Sequence, residues 1–198
     1  FAQSDNEDYT LEEIIVTAQK TEKSLQDVPI AVSALSADDL ALRQAVRFTD
    51  LQLNVPNLSY SETNFGGSSV SIRGIGRLAT GISFDQSVTT HINESPWGEN
   101  TNVATMFDMD RVEVLRGPQG TLFGRGTTAG LVNLVTKRPS VDSGVEGYAG
   151  FTAGEYDLQV FEGAVNIPLD DNFAVRAAYT QTERDGFTEN LYAPVGGT

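Results

Sequence analysis

The sequence predicts a mixed α+β domain followed by long antiparallel strands of the length that membrane barrels use. Three observations predict it. From Ile30 to about Arg138, short β-prone runs are interleaved with two helical patterns and with Gly- and Asn-rich connections. After Pro139 the pattern changes to three strand-length segments, 145–156, 158–169 and 173–184, which alternate over the roughly ten residues that a tilted membrane strand needs. No stretch approaches 18 consecutive apolar residues, so any route across a bilayer would have to be made of strands.

The elements follow in chain order. Residues 1–10 (FAQSDNEDYT) are polar, acidic and without period, which predicts a disordered tail. The opening Phe1-Ala2-Gln3-Ser4, without an initiator Met, is consistent with a processed start. LEEIIVTA (11–18) is a short β-prone run, and QKTEKSLQDVP (19–29) is polar and linker-like. IAVSAL (30–35) reads as a strand. Ser36, with Asp39 three residues on, reads as the N-cap of a helix through ADDLALRQA. FTDLQLNV (48–55) is a second helix, stopped by Pro56. SSVSIRGIG (68–76), VTTHIN (88–93), RVEVLRG (111–117) and GLVNLVTK (130–137) read as strands.

The last two segments carry a register. Phe161, Gly163, Val165, Ile167 and Leu169 share one face, as do Phe173, Val175, Ala177 and Tyr179, while Glu162, Ala164, Asn166, Arg176, Ala178, Thr180 and Thr182 share the other. Facing residues must lie on one side of the sheet, so paired numbers must sum to an even value. This predicts Val165 opposite Ala177 and Asn166 opposite Arg176. It also predicts a three-residue loop, Asp170-Asp171-Asn172, with Leu169 opposite Phe173 and Asn172 in the left-handed region. The alternation alone fits an ordinary half-buried hairpin as well as a lipid face opposite a lumen face.

Composition excludes several function classes. The chain has 13 basic and 27 acidic residues and a net charge of −14, which argues against nucleic acid or any other polyanion as a partner. It has no cysteine, hence no thiolate chemistry and no Cys-based metal site. Its one histidine, His91, lies in a strand and reads as structural; Asp85 and Glu94 near it lack the helical spacing of a zinc site. GGSSVSIRG lacks the final glycine of a G-x-S-x-G elbow. Gly124-x-Gly126-x-x-Ala129 resembles a dinucleotide fingerprint, but Pro118 separates it from the preceding strand and β-branched GLVNLVTK follows it. No enzyme, cofactor or metal is expected.

The order LEEIIVTAQK, SLQDVPIAVSAL, SIRGIG, DRVEVLRGPQGTLFGRGTTAGLVNLVTKRP and then paired strands resembles TonB-dependent outer-membrane receptors from about residue 11 to 192. The resemblance implies an α+β plug domain followed by the first antiparallel strands of a large transmembrane β-barrel. It divides the chain into a periplasmic tail (1–23), the plug (24–139) and three barrel strands (140–198). Plugged barrels have about 22 strands, so the chain reads as truncated.

The resemblance also assigns roles. Glu13, Ile14, Ile15, Val16, Thr17 and Ala18 match the TonB box, the strip that pairs as a strand with TonB, the periplasmic energy-coupling protein; an edge strand of the plug is the other reading of these residues. Arg73 in SIRG and Arg116 in VLRGP match two plug arginines that pair with barrel carboxylates in similar receptors. On this reading the glycines from Gly117 to Gly130 serve tight turns in a crowded lumen. Arg77, Phe84 and Trp97, in loop segments, are the candidates for cargo contact. The implied function is uptake of a scarce chelate, most often a ferric siderophore, at the outer membrane of a Gram-negative cell, with outer-membrane lipid around the strands. The alternatives are an oligosaccharide or corrinoid cargo, or a soluble plug-like ligand-binding or signalling module.

Overall fold

Two strands whose side chains are buried on both faces decide how the first unit is layered. The computed structural model describes residues 14–17, 21, 23–62, 68–76, 86–97 and 106–186. The chain divides into two compact units, 1–136 and 137–198. In the first, the described elements are β1 (Ile15–Val16), β2 (Lys23–Ser24), β3 (Ala31–Ser36), α1 (Ala37–Leu42), α2 (Phe48–Asn54), β4 (Leu58–Glu62), β5 (Ser68–Ile72), β6 (Ile75–Gly76), β7 (Val88–Ile92), β8 (Ser95–Trp97), β9 (Met109–Arg116), α3 (Gly120–Phe123) and β10 (Gly130–Thr136). A mixed sheet of order β3-β9-β10-β7-β8 is the centre. β10 runs parallel to β7 and antiparallel to β9, and the other pairs are antiparallel.

Period-2 alternation sorts the core into two. Val112, Val114, Val132 and Leu134 face one side, where they pack with Leu40 of α1, Phe48 and Leu51 of α2, and Tyr60, Val70 and Ile72 of a second sheet, β4-β5-β6. Leu115 and Leu131 face the other side and pack with Val16, Val28 and Phe123. Each fully buried Leu, Val or Phe contributes about 1.5–3 kcal/mol of transfer free energy.

Local signals start and stop the helices. The Ser36 hydroxyl accepts from the Asp39 N–H at 3.2 Å, and the Asp39 carboxylate accepts from the Ser36 N–H at 3.3 Å. That is the expected reciprocal cap. The Asp50 carboxylate takes the Arg47 and Val46 N–H groups at 2.7 and 3.0 Å and starts α2, which ends two residues before Pro56.

SSVSIRGIG is not one strand. It breaks after Ile72 into a hairpin whose turn residues, Arg73 and Gly74, sit at φ 55° and 75°. β4 and β8 form where no strand was expected.

In the second unit β11 (Glu146–Gly154), β12 (Leu158–Asp170) and β13 (Phe173–Glu183) form an antiparallel sheet in that order. Tyr156 and Asp157 both have positive φ, 60° and 50°, and the Leu158 N–H reaches the Glu155 carbonyl at 3.4 Å, which closes β11 onto β12 through a three-residue loop, 155–157, between the paired Gly154 and Leu158. Between β12 and β13 the even-sum register holds: Val165 faces Ala177 and Asn166 faces Arg176. The loop differs from expectation. A register shift falls between Pro168 and Asp170, Asp170 rather than Leu169 faces Phe173, and Asn172 is not among the positive-φ residues. The extra residue is absorbed as a bulge at Leu169, so the turn needs only Asp171 and Asn172. The Asp170 carboxylate accepts the Asp171 N–H at 2.7 Å and stabilises the tight version.

Candidate functional site

The face of the central sheet turned away from α1 and α2 carries a cross-strand polar pair in its most buried part. Glu113 of β9 and Asn133 of β10 are paired across the ladder and are 0% and 1% exposed. Neighbours on the same face, Leu115 and Leu131, are fully buried. Burying a carboxylate is unfavourable unless it is paired and hydrogen-bonded, so its partners matter. Arg111 Nε donates to Glu113 Oε1 at 2.8 Å. Asn133 Nδ2 donates to Glu113 Oε2 at 3.3 Å, and its Oδ1 takes the Glu94 N–H at 3.0 Å. Burial pulls the Arg111 pKa down, but the hydrogen bond and charge of Glu113, then those of Asp110, outweigh it and hold Arg111 above its ordinary value. The guanidinium is therefore fixed in its charged form beside the acid.

The remaining partner of Glu113 is Thr17. Its backbone N–H donates to Glu113 Oε1 at 2.8 Å, and its hydroxyl lies 3.1 and 3.2 Å from the two carboxylate oxygens. Asn133 Nδ2 also reaches the Thr17 hydroxyl at 3.5 Å. Thr17 is brought there by β1, which pairs antiparallel with β2, Ile15 opposite Ser24 and Val16 opposite Lys23. Val16 is fully buried among Val28, Leu115, Phe123 and Leu131, whereas Ile15 is 48% exposed. Alternation along LEEIIVTA thus gives one anchor and one outward residue, and the polar cluster seats the strand at its end.

The edges of β1 differ. Leu25 N–H donates to the Ile14 carbonyl at 2.9 Å, so Ile14 and Val16 direct their backbone groups toward β2. Ile15 and Thr17 then direct theirs to the opposite edge. At Thr17 that outward N–H is held by Glu113.

Of the other sequence-singled residues, Glu13, Ala18, Arg77 and Phe84 lie outside the described residues, as does the 1–10 tail. Trp97 ends β8 and is 55% exposed, paired with Thr90. Arg73 is exposed at its hairpin tip, and Arg116 is half-buried with a buried Nε that has no hydrogen-bond partner among the described residues. The two arginine motifs meet at Gly130. A Cβ there would stand 2.2 Å from the Leu115 carbonyl oxygen and 2.9 Å from Ile72 Cδ1, the residues just before Arg116 and Arg73. His91 is buried on the face of Asn133; Nδ1 donates to the Glu94 carbonyl at 3.1 Å, Nε2 lies 3.2 Å from the Thr89 hydroxyl, and the ring meets Phe123 edge-on at 5.4 Å. It is a packed, satisfied strand residue. In the second unit, fully buried Asn166 takes the Ser140 N–H at 3.0 Å and donates to the Ser140 and Gly144 carbonyls at 2.8 and 3.1 Å, pinning the turn that leads into β11.

Sequence reasoning missed Glu113 and Asn133. The signal was present: Glu113 interrupts Val112, Val114 and Leu115, and Asn133 interrupts Leu131, Val132, Leu134 and Val135, apolar runs of the kind that are buried on both faces.

Comparison with known proteins agrees with this architecture. The TonB-dependent Receptor Plug Domain family matches residues 24–131. The pesticin receptor of Yersinia pestis is 29% identical over 137 residues, 68% of this chain and 20% of the receptor. The iron-regulated outer membrane virulence protein of Vibrio cholerae is 30% identical over 187 residues, 89% of this chain and 28% of that protein. The crystal structure of the ferric yersiniabactin uptake receptor FyuA from Yersinia pestis superposes with a TM-score of 0.68 at 25% identity, covering 78% of this chain and 24% of the receptor. The chain thus spans about a fifth to a quarter of the length of the relatives it matches. A plug-domain match over more than half of the chain, a mixed sheet with a docked N-terminal strand, and long antiparallel strands after it lead to one family: the chain belongs to the TonB-dependent receptors of the Gram-negative outer membrane.

Proposed function

We propose that this chain is the plug and the first barrel strands of a receptor that takes up a ferric chelate, most often a siderophore, with energy delivered through residues 13–18. The observation that carries this reading is β1: a β-prone strip before the plug, anchored by Val16 and with one edge turned away from its own partner strand. TonB pairs with that strip on this reading, and the tail before it faces the periplasm. The domain limits follow as tail 1–23, plug 24–139 and barrel strands from 140. Arg73 and Arg116 lock the plug to carboxylates of the barrel wall; the buried Nε of Arg116, without a hydrogen-bond partner among the described residues, supports the need for such an acid. Arg77, Phe84 and Trp97 contribute to the cargo surface.

The β11–β13 sheet supports the membrane reading over a soluble module. Phe151, Phe161, Ile167, Leu169, Phe173, Val175 and Tyr179 are exposed on one face, an apolar surface that suits outer-membrane lipid and has no use in water.

The test uses the whole receptor in its native membrane. Expression should rise under iron starvation, and the purified receptor should bind iron-loaded chelate in preference to the empty chelator. Induction by an oligosaccharide or a cobalt corrinoid would replace the cargo, and loss of both induction and chelate binding would overturn the uptake reading.

A further inference from the structure

We infer that Glu113 is an edge cap: its carboxylate occupies the outward backbone N–H of the coupling strand, and a strand-adding partner must displace it to pair there. The inference rests on reading residues 13–18 as the strip that pairs with a periplasmic partner.

Strand addition needs a row of free backbone donors and acceptors on one edge. β1 offers only two edges. The edge of Ile14 and Val16 is taken by β2. The edge of Ile15 and Thr17 is the one left, and its Thr17 N–H is held by Glu113 Oε1 at 2.8 Å. A carboxylate is acceptor-only, so it satisfies that donor while offering no N–H to an approaching strand. The Thr17 hydroxyl points at the same carboxylate, which gives the contact two hydrogen-bonding groups from one residue.

Glu113 is held for this task. Arg111 Nε and Asn133 Nδ2 fix its two oxygens from strands of the central sheet, and the acid is fully buried. When Thr17 leaves, Glu113 keeps both of those partners, so release does not strand an unpaired buried charge. The strand therefore undocks at the expense of its own contacts alone: one charge-assisted backbone bond, the Thr17 hydroxyl and the Val16 anchor. The plug and the partner compete for one N–H group.

These 198 residues contain no cysteine, so once any cysteine in the rest of the receptor is replaced by serine, a single introduced thiol reports position. In the whole receptor, Val16→Cys should react slowly with a water-soluble maleimide, because Val16 is fully buried. Adding Glu113→Ala or Thr17→Pro should raise that rate about tenfold or more, the loss expected for a hydrogen bond to a charged group. Val132→Cys, in the opposite core, is the control for global loosening. Its rate should stay unchanged in Thr17→Pro.

Glu113→Ala leaves Arg111 and Asn133 without their acid and could prevent plug folding. Thr17→Pro and Thr17→Val act on the strand side and leave the acid cluster intact. Thr17→Pro should raise labelling fully, Thr17→Val partly, since it keeps the N–H. Binding of a purified periplasmic energy-coupling domain should tighten in Thr17→Val in parallel with the labelling. An unchanged Val16→Cys rate in both Thr17 variants, or an equal rise at Val132→Cys, overturns the edge cap. Uptake is measured separately: if it does not depend on residues 13–18, the function reading falls while the labelling result stands.

Discussion

Gly130 shows how one missing side chain allows three segments to converge. Its φ of 151° lies where L side chains are strained, and the Leu115 carbonyl occupies the space a Cβ would need. The neighbour that would have to move is backbone of β9, which is tied into the central sheet on both sides. Gly130→Ala should therefore destabilise the plug by about 1–3 kcal/mol, the usual cost of overpacking. Thermal or urea unfolding of the purified receptor, followed by a probe in the plug, measures this. A loss below a few tenths would mean that the strand ladder relaxes easily. The sequence marked Gly117 to Gly130 as structural glycines but could not say which one is irreplaceable. Position and φ are shared by several of them, whereas the approach of Leu115 and Ile72 is made by residues 15 and 58 positions away in the chain. Glu113 and Asn133 were equally unmarked as a pair, because their partnership exists only once β9 and β10 are in register.

At the scale of an element, β1 is where sequence and structure inform each other most. Its β propensity, its place before the plug and its alternative reading as an edge strand were legible; the contact that seats it was not, since that depends on Thr17 finding an acid 96 residues away. The edge assignment sharpens a proline test. Proline removes one backbone donor and fixes φ near −65°, compatible with an extended strand. Ile15→Pro deletes an outward donor and leaves the pairing with β2 intact, so energised uptake should be lost while β1 stays docked and chelate binding persists. Val16→Pro deletes a donor on the β2 side and the buried anchor together, so docking and uptake should both be lost. Uptake assays with maleimide labelling near residue 16 separate the two. Equal behaviour of the variants would mean that β1 edges are not distinguished as described. The hairpin of β12 and β13 gives the complementary lesson. Its register was legible because alternation fixes parity over ten residues. Its turn was not, because one bulge at Leu169 preserves every facing pair from Pro168 inward and still changes the loop.

At the scale of the whole molecule, the membrane reading turns on which side of the β11–β13 sheet meets lipid. Two adjacent alanines isolate that question. Ala177 faces Val165 and shares its side with Phe161, Ile167, Val175 and Tyr179. Ala178 faces Ala164 and shares its side with Glu162, Asn166, Arg176 and Thr180. The residues are the same type, sit one strand step of about 3.4 Å apart, and point to opposite faces. Local propensity, strand position and depth therefore nearly cancel between Ala177→Arg and Ala178→Arg. What remains is the environment of one guanidinium. On the lipid face near mid-bilayer an arginine is unfavourable by about 2–4 kcal/mol, while a lumen position leaves it hydrated or paired. Ala177→Arg should lower the amount of folded receptor in the outer membrane, read as the heat-modifiable band on a seminative gel. Ala178→Arg should leave assembly close to that of the parent. Equal assembly of the two variants would remove the lipid face. A deficit confined to Ala178→Arg would invert the sheet and put the apolar row inside, which no water-filled or polar lumen could accommodate.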